Sequence, residues 1–161
     1  MLNLKKLLDG SASSLSFSVN ITDCSFVDEA KSGTACAEAV ITNHSGLILL
    51  EGKINASLTV PCARCDKEFN YTATIPLTAK ITESLANEDE DEYIILQDYS
   101  FDEEDLVRTT LILELPSRYL CNEDCKGLCP KCGCDLNVKE CSCNQKESDP
   151  RWDVLKDFFS E

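Results

Sequence analysis

Leu15, Phe17, Val19 and Ile21 alternate strictly with Ser16, Ser18 and Asn20. A period of two sends apolar side chains to one face of an extended chain and polar ones to the other, so this stretch predicts a strand with one wet face. The same period governs residues 53–60, where Ile54, Ala56, Leu58 and Val60 share a side. It returns from Phe69 through Tyr71, Ala73, Ile75, Leu77 and Ala79 to Ile81. Residues 35–42 read as a further strand, which Asn43, His44, Ser45 and Gly46 turn into one spanning 47–60. Tyr93, Ile94, Ile95 and Leu96 make a short last strand.

Helical signals are fewer. Leucines at 2, 4, 7 and 8 predict a short amphipathic helix over residues 2–8, stopped at Asp9-Gly10. Asp102 is the expected N-cap of a longer helix, with Glu103, Glu104 and Asp105 in the first turn, where the helix dipole favours negative charge. Leu106, Val107, Thr110, Leu111 and Glu114 follow at three- and four-residue spacing, and Pro116 ends the helix. Asp149-Pro150 opens a C-terminal helix with an apolar stripe of Trp152, Leu155, Phe158 and Phe159. The expected fold is α+β: an antiparallel β-sheet with a packed helix over residues 1–116, then a cysteine-rich segment and a C-terminal helix over 117–161.

Fifteen Lys and Arg against 29 Asp and Glu leave the 161-residue chain at -14. A field of that sign repels phosphate, which argues against a broad nucleic-acid surface and for a basic protein partner. The acidic run NEDEDE at 87–92 is expected as a solvated loop. The N-terminus lacks the apolar run of a signal peptide, and no stretch is long enough to cross a bilayer, so the expected location is the cytoplasm, with no membrane partner. A reducing compartment keeps thiols available for metals or redox chemistry and disfavours structural disulfides.

That compartment matters because eleven residues are cysteine, and seven of them fall in CNEDCKGLCPKCGCDLNVKECSC, residues 121–143. Few large apolar side chains lie between them, so sulfur must hold the segment. Cys129-Pro130-Lys131-Cys132-Gly133 is a C-P-x-C-G knuckle, in which Pro130 and Gly133 bend the backbone tightly enough for both thiolates to grip one ion. Cys121-x3-Cys125 and Cys141-x-Cys143 offer further pairs. Cys62 and Cys65 sit between the two clearest alternating runs, as a C-x-x-C hairpin tip of the zinc-knuckle kind. Soft thiolates without a nearby imidazole select zinc first and an iron–sulfur cluster second. A redox C-x-x-C belongs at the start of a helix, whereas here a strand follows. His44 in its turn is expected as a solvated polar residue, and Cys24 and Cys36 as small buried hydrophobes.

Taken in order, VPCARC at 60–65, CKGLCPKCGCDLN at 125–137 and DPRWDVLK at 149–156 resemble the bacterial YceD family, the large ribosomal RNA subunit accumulation proteins, which have a relative in plant plastids. The resemblance covers nearly the whole chain. It implies a role in accumulation of large-subunit (23S) ribosomal RNA, hence in large ribosomal subunit biogenesis. It also implies separable metal sites, because some relatives carry the hairpin C-x-x-C without the full cysteine-rich tail. Cys134, Cys24 and Cys36 fall outside the family pattern.

Cys62 and Cys65 are expected to join Cys121 and Cys125, since a helix ending at Pro116 can return the chain to the hairpin tip. Cys129 and Cys132 then close with Cys141 and Cys143. Eight sulfurs make two four-thiolate zinc sites, a zinc ribbon with no open position for water. The alternative is one zinc ion with the remaining thiols free.

Three functions compete. The first is a non-enzymatic, zinc-braced acidic module that binds a ribosomal precursor or a basic ribosomal protein. The second is an enzyme: a thiol oxidoreductase using Cys62 and Cys65, or a metal-dependent nuclease, for which one His and unpatterned carboxylates supply no ligand set. The third is direct RNA contact through Arg64, Lys126, Lys131 and Lys139 around the knuckles.

Overall fold

The computed structural model describes residues 1–44, 46–82 and 93–143; the acidic run at 87–92 and the helix expected from Pro150 lie outside the described residues. In chain order the elements are β1 (Leu2–Asn3), α1 (Lys5–Leu8), β2 (Ser14–Ile21), β3 (Ser32–His44), β4 (Leu47–Pro61), β5 (Glu68–Thr82), β6 (Tyr93–Ile95), β7 (Ser100–Phe101) and α2 (Glu103–Glu114). The main sheet is ordered β2-β3-β4-β5-β6, and β1 pairs with β7 in a separate two-stranded ladder.

Alternation in sequence becomes one-sided burial. Ile48, Leu50, Ile54, Ala56, Leu58 and Val60 of β4 are buried, as are Ala35, Ala37, Ala39 and Ile41 of β3 and Ile75, Leu77 and Ile81 of β5. Val107 and Leu111 of α2, with Leu4 and Leu7 at α1, complete the same core and are fully buried. Each buried Val, Leu or Ile among them contributes about 1.5–3 kcal/mol by leaving water and each Ala less, so this face fixes which way every strand points. The opposite face carries Asn20, Cys36, Asn55 and Thr74 in one row across four strands.

The start of α2 follows the expectation. The Asp102 carboxylate accepts the N–H groups of Glu104 at 3.0 Å and Asp105 at 3.2 Å, which satisfies donors that the helix itself leaves unpaired. On its flank the Arg108 guanidinium lies 4.7 Å from the centroid of the Phe26 ring. No helix among the described residues is long and apolar enough to cross a membrane.

Three expectations need correction. The N-terminal helix occupies only Lys5–Leu8, because Leu2 and Asn3 are drawn into pairing with Phe101 and Ser100. The Leu4 N–H donates to the Tyr99 carbonyl at 2.8 Å, and the Asn3 side chain then caps the Lys5 N–H at 3.0 Å. The sheet is not wholly antiparallel: β6 lies parallel to β5, with Lys80 opposite Tyr93 and Thr82 opposite Ile95. A parallel neighbour needs a connection longer than a tight turn, and residues 83–92 supply its length. The turn after β3 is tighter than the four residues expected, since Asn43 and His44 still belong to the strand.

Gly52 marks the tightest strand contact. A Cβ there would lie 2.3 Å from the Glu38 carbonyl oxygen and 2.5 Å from the Ala39 Cβ. Gly52→Ala is expected to cost about 1–3 kcal/mol through overpacking. Chemical denaturation would measure it; an unchanged midpoint would mean that β3 yields freely there.

Candidate metal centre

The β4–β5 ladder pairs Ile48 with Ile81 at one end and Pro61 with Glu68 at the other. Residues 62–67 are therefore the turn of this hairpin. Within it the Cys62 N–H donates to the Lys67 carbonyl at 3.0 Å and the Asp66 N–H to the Cys62 carbonyl at 2.8 Å. Asp66 closes the turn in the left-handed region, at φ 59.

After α2 the chain comes back to this turn through Tyr119. Its ring is buried edge-on against Tyr71, with centroids 4.9 Å apart, and its carbonyl accepts the Ala63 N–H at 2.8 Å. Cys121 and Cys125 follow directly. Their loop is folded by Asn122, whose side chain accepts the Asp124 N–H at 3.0 Å and whose carbonyl accepts the Cys125 N–H at 3.0 Å.

Arg64 clamps that loop onto the hairpin. Its Nη1 donates to the carbonyls of Glu123 at 3.0 Å and Cys125 at 2.8 Å, and its own carbonyl accepts the Leu128 N–H at 3.1 Å. Gly127 passes so close that a Cβ would stand 2.8 Å from the Arg64 carbonyl oxygen, and it adopts φ +74. Only glycine meets both conditions. Only the third of the competing readings of the sequence offered Arg64 as an RNA contact; here its guanidinium donates to backbone carbonyls.

The structure thereby gathers Cys62, Cys65, Cys121 and Cys125, with all four sulfurs within 4.8 Å of one another. Cys129, Cys132, Cys141 and Cys143 form a second group within the same limit. Its knuckle is closed by the Gly133 N–H, 2.8 Å from the Cys129 carbonyl, with Gly133 at φ +70. Cys24 is buried in the apolar core, Cys36 is half-buried, and neither joins a group. Cys134 is also outside both groups. His44 is exposed beside Thr42, whose Oγ1 lies 3.0 Å from its Nε2. Lys126, Lys131 and Lys139 lie exposed on the cysteine-rich segment.

Sulfur spacing states what such a group can do. Cys62 Sγ is 3.8 Å from Cys125 Sγ, and Cys65 Sγ is 3.7 Å from Cys121 Sγ. A disulfide needs about 2.05 Å. Four thiolates arranged tetrahedrally about an ion at about 2.3 Å stand about 3.8 Å apart along each edge. A multi-iron cluster puts each cysteine on its own iron and spreads the sulfurs further. Both groups could hold one metal ion each.

The charges agree. Burial works against ionising Cys62, but N–H groups of Cys121, Arg64 and Cys65 outweigh it and bring the thiol down to about 6. Cys121 is pushed up to about 12, by burial and then by the neighbouring thiols. In the second group the N–H groups of Cys132 and Lys131 bring Cys129 down to about 6, while Cys143 rises to about 12 beside Cys132. Cys132 is lowered as well, first by the N–H of Cys134, so each group combines thiols that ionise readily with others that resist becoming further anions. Four thiolates this close need a cation among them.

The model of the YceD family, described as "Large ribosomal RNA subunit accumulation protein YceD", matches residues 50–159. An uncharacterized protein of Mycobacterium tuberculosis is 33% identical over 116 residues, covering 70% of this chain and 56% of its own length. Another, from Mycobacterium leprae, is 28% identical over 121 residues, covering 70% and 54%. The chain thus spans about half the length of these relatives. A chloroplastic protein of Arabidopsis thaliana, named "Large ribosomal RNA subunit accumulation protein YCED homolog 1", is 37% identical over 49 residues, 30% of this chain and 15% of that protein. No solved structure matches.

Arg64→Ala removes two charge-assisted hydrogen bonds, each of about 1.5–3 kcal/mol. Amide exchange in residues 121–128 is expected to accelerate while the β3–β4–β5 core keeps its protection. Unchanged exchange in that segment would show that the clamp does not hold it.

Proposed function

The chain belongs to the YceD family, and from that membership we propose that it supports accumulation of large-subunit (23S) ribosomal RNA as a non-enzymatic, zinc-braced acidic module. The observation that carries the zinc reading is the 3.7–3.8 Å sulfur spacing in the first group, the edge length of a zinc–thiolate tetrahedron. Cys62, Cys65, Cys121 and Cys125 hold one ion, and Cys129, Cys132, Cys141 and Cys143 a second. Zinc supplies a redox-inert cation that neutralises the thiolates and cross-links their loops.

A site closed by four sulfurs offers no position for a reacting water, which favours scaffolding over catalysis. The net charge of -14 favours a basic ribosomal protein, or a protein-covered face of a ribosomal precursor, over naked RNA. Cytoplasmic residence goes with that role.

One observation favours a second reading. A Cys62 thiol at about 6 is acidic enough for a redox dithiol with Cys65. The two readings separate on metal content. Native mass spectrometry of protein purified without added metal is expected to show two zinc ions per chain, falling to one in Cys62→Ser and to one in Cys129→Ser. A metal-free, disulfide-bonded chain would overturn the scaffold reading in favour of thiol redox chemistry.

Cells depleted of the protein are expected to show a lower ratio of 23S to 16S ribosomal RNA and fewer large subunits on a sucrose gradient. Unchanged ratios would sink the biogenesis role. Partner binding is expected to weaken as salt rises from about 50 to 500 mM, because ions screen the acidic surface.

A further inference from the structure

The second cysteine group is built around a loop that reaches the first. Residues 133–140 separate Cys132 from Cys141, and in their middle stands Asn137. Its Oδ1 accepts the Lys126 N–H at 2.8 Å, which turns the amide nitrogen the other way. That nitrogen donates one hydrogen to Asp135 Oδ1 at 2.7 Å and the other to Cys125 Sγ at 3.4 Å. Cys125 belongs to the first group. Asp135 is itself fixed, since it accepts the Asn137 N–H at 2.8 Å and pairs with Leu128 in an antiparallel bridge. The Leu136 N–H completes the join by donating to the Gly127 carbonyl at 3.0 Å.

A thiolate that accepts an N–H bond carries less free negative charge and is a poorer target for protons and competing electrophiles. Such partners around a metal typically change its affinity by about 10–100-fold. Here the partner is supplied by a loop whose two ends are ligands of the other group, so its position depends on whether that group is closed. We propose that Asn137 is a positioning residue that couples the two metal sites, so that an ion at Cys129, Cys132, Cys141 and Cys143 slows loss of the ion at Cys62, Cys65, Cys121 and Cys125. The inference rests on the reading of both groups as zinc sites. Coupling of this kind is reciprocal at equilibrium, so the first ion tightens the second to the same degree.

The test is zinc release from the full chain to an excess of chelator. Pulsed alkylation with mass mapping assigns each release to Cys62 and its partners or to Cys129 and its partners. Cys143→Ser, which opens the second site, is expected to speed release from the first by about 10-fold or more. Asn137→Leu is expected to speed it similarly, and the double variant to add little, since both remove the same restraint. Asn137→Asp separates the sulfur bond from the loop cap, because it keeps an acceptor for the Lys126 N–H but has no amide hydrogen for sulfur. It is expected to behave like Asn137→Leu. Wild-type release in Asn137→Asp, or multiplicative effects in the double variant, would overturn the coupling. Absence of zinc from the unmutated chain would instead overturn the reading on which it rests.

Discussion

The register of β4 against β5 is the constraint on which the rest depends. Because side chains alternate between faces, a slip of β5 by one residue would turn Ile75, Leu77 and Ile81 out to water while Ile54 and Leu58 of β4 stayed on the core face. The buried face of the sheet therefore fixes that ladder, and the ladder fixes where its last pair, Pro61 and Glu68, falls. Cys62 and Cys65 inherit their place from apolar residues far from them. A short, exposed loop alone has no comparable means of aiming two sulfurs.

What the hairpin offers, the segment after α2 must meet. Among the described residues past Tyr119, the buried ones are Cys125, Gly127 and Cys129, with no large apolar side chain among them. Backbone hydrogen bonds, one arginine and sulfur do the work that leucines and valines do in the sheet. The two kinds of interior meet at Ala63 and Tyr119, where one N–H···O bond ties the hairpin turn to the returning chain.

The four long strands and α2 were legible in the sequence because burial on one face writes its period into residue type, and because Asp102 carries a cap signal that needs no partner. The pairing of β1 with β7 was not legible: two residues have no period, and Leu2 fits a helix as well as a strand. Nor was the direction of β6, since Tyr-Ile-Ile-Leu shows no alternation to tie it to a face or a neighbour. Topology made the grouping of the cysteines readable, given a helix that returns the chain to the hairpin. The roles of Arg64 and Asn137 were hidden for a common reason. Each acts through bonds to backbone or sulfur across long sequence separations, and a charge or an amide in a loop looks the same whether it faces water or a neighbour's carbonyl. The Gly127 contact could have drawn attention to Arg64, but a lone glycine in a loop does not say what it approaches.

The two cysteine groups also differ in how far along the chain their members lie. Cys62 and Cys125 are 63 residues apart, and Cys65 and Cys121 are 56 apart, whereas the second group is contained between 129 and 143. Loop-closure entropy grows with separation, by about 1 to 2 kcal/mol across this range. Folding the sheet and α2 removes that difference for the first group by delivering both halves to the same place. A chain leaving the ribosome can therefore close its last-made group locally, while the earlier pair waits for the sheet to form and for the tail to arrive. The hairpin thiols, made 56 and 63 residues before Cys121 and Cys125, are the ones left longest without their partners.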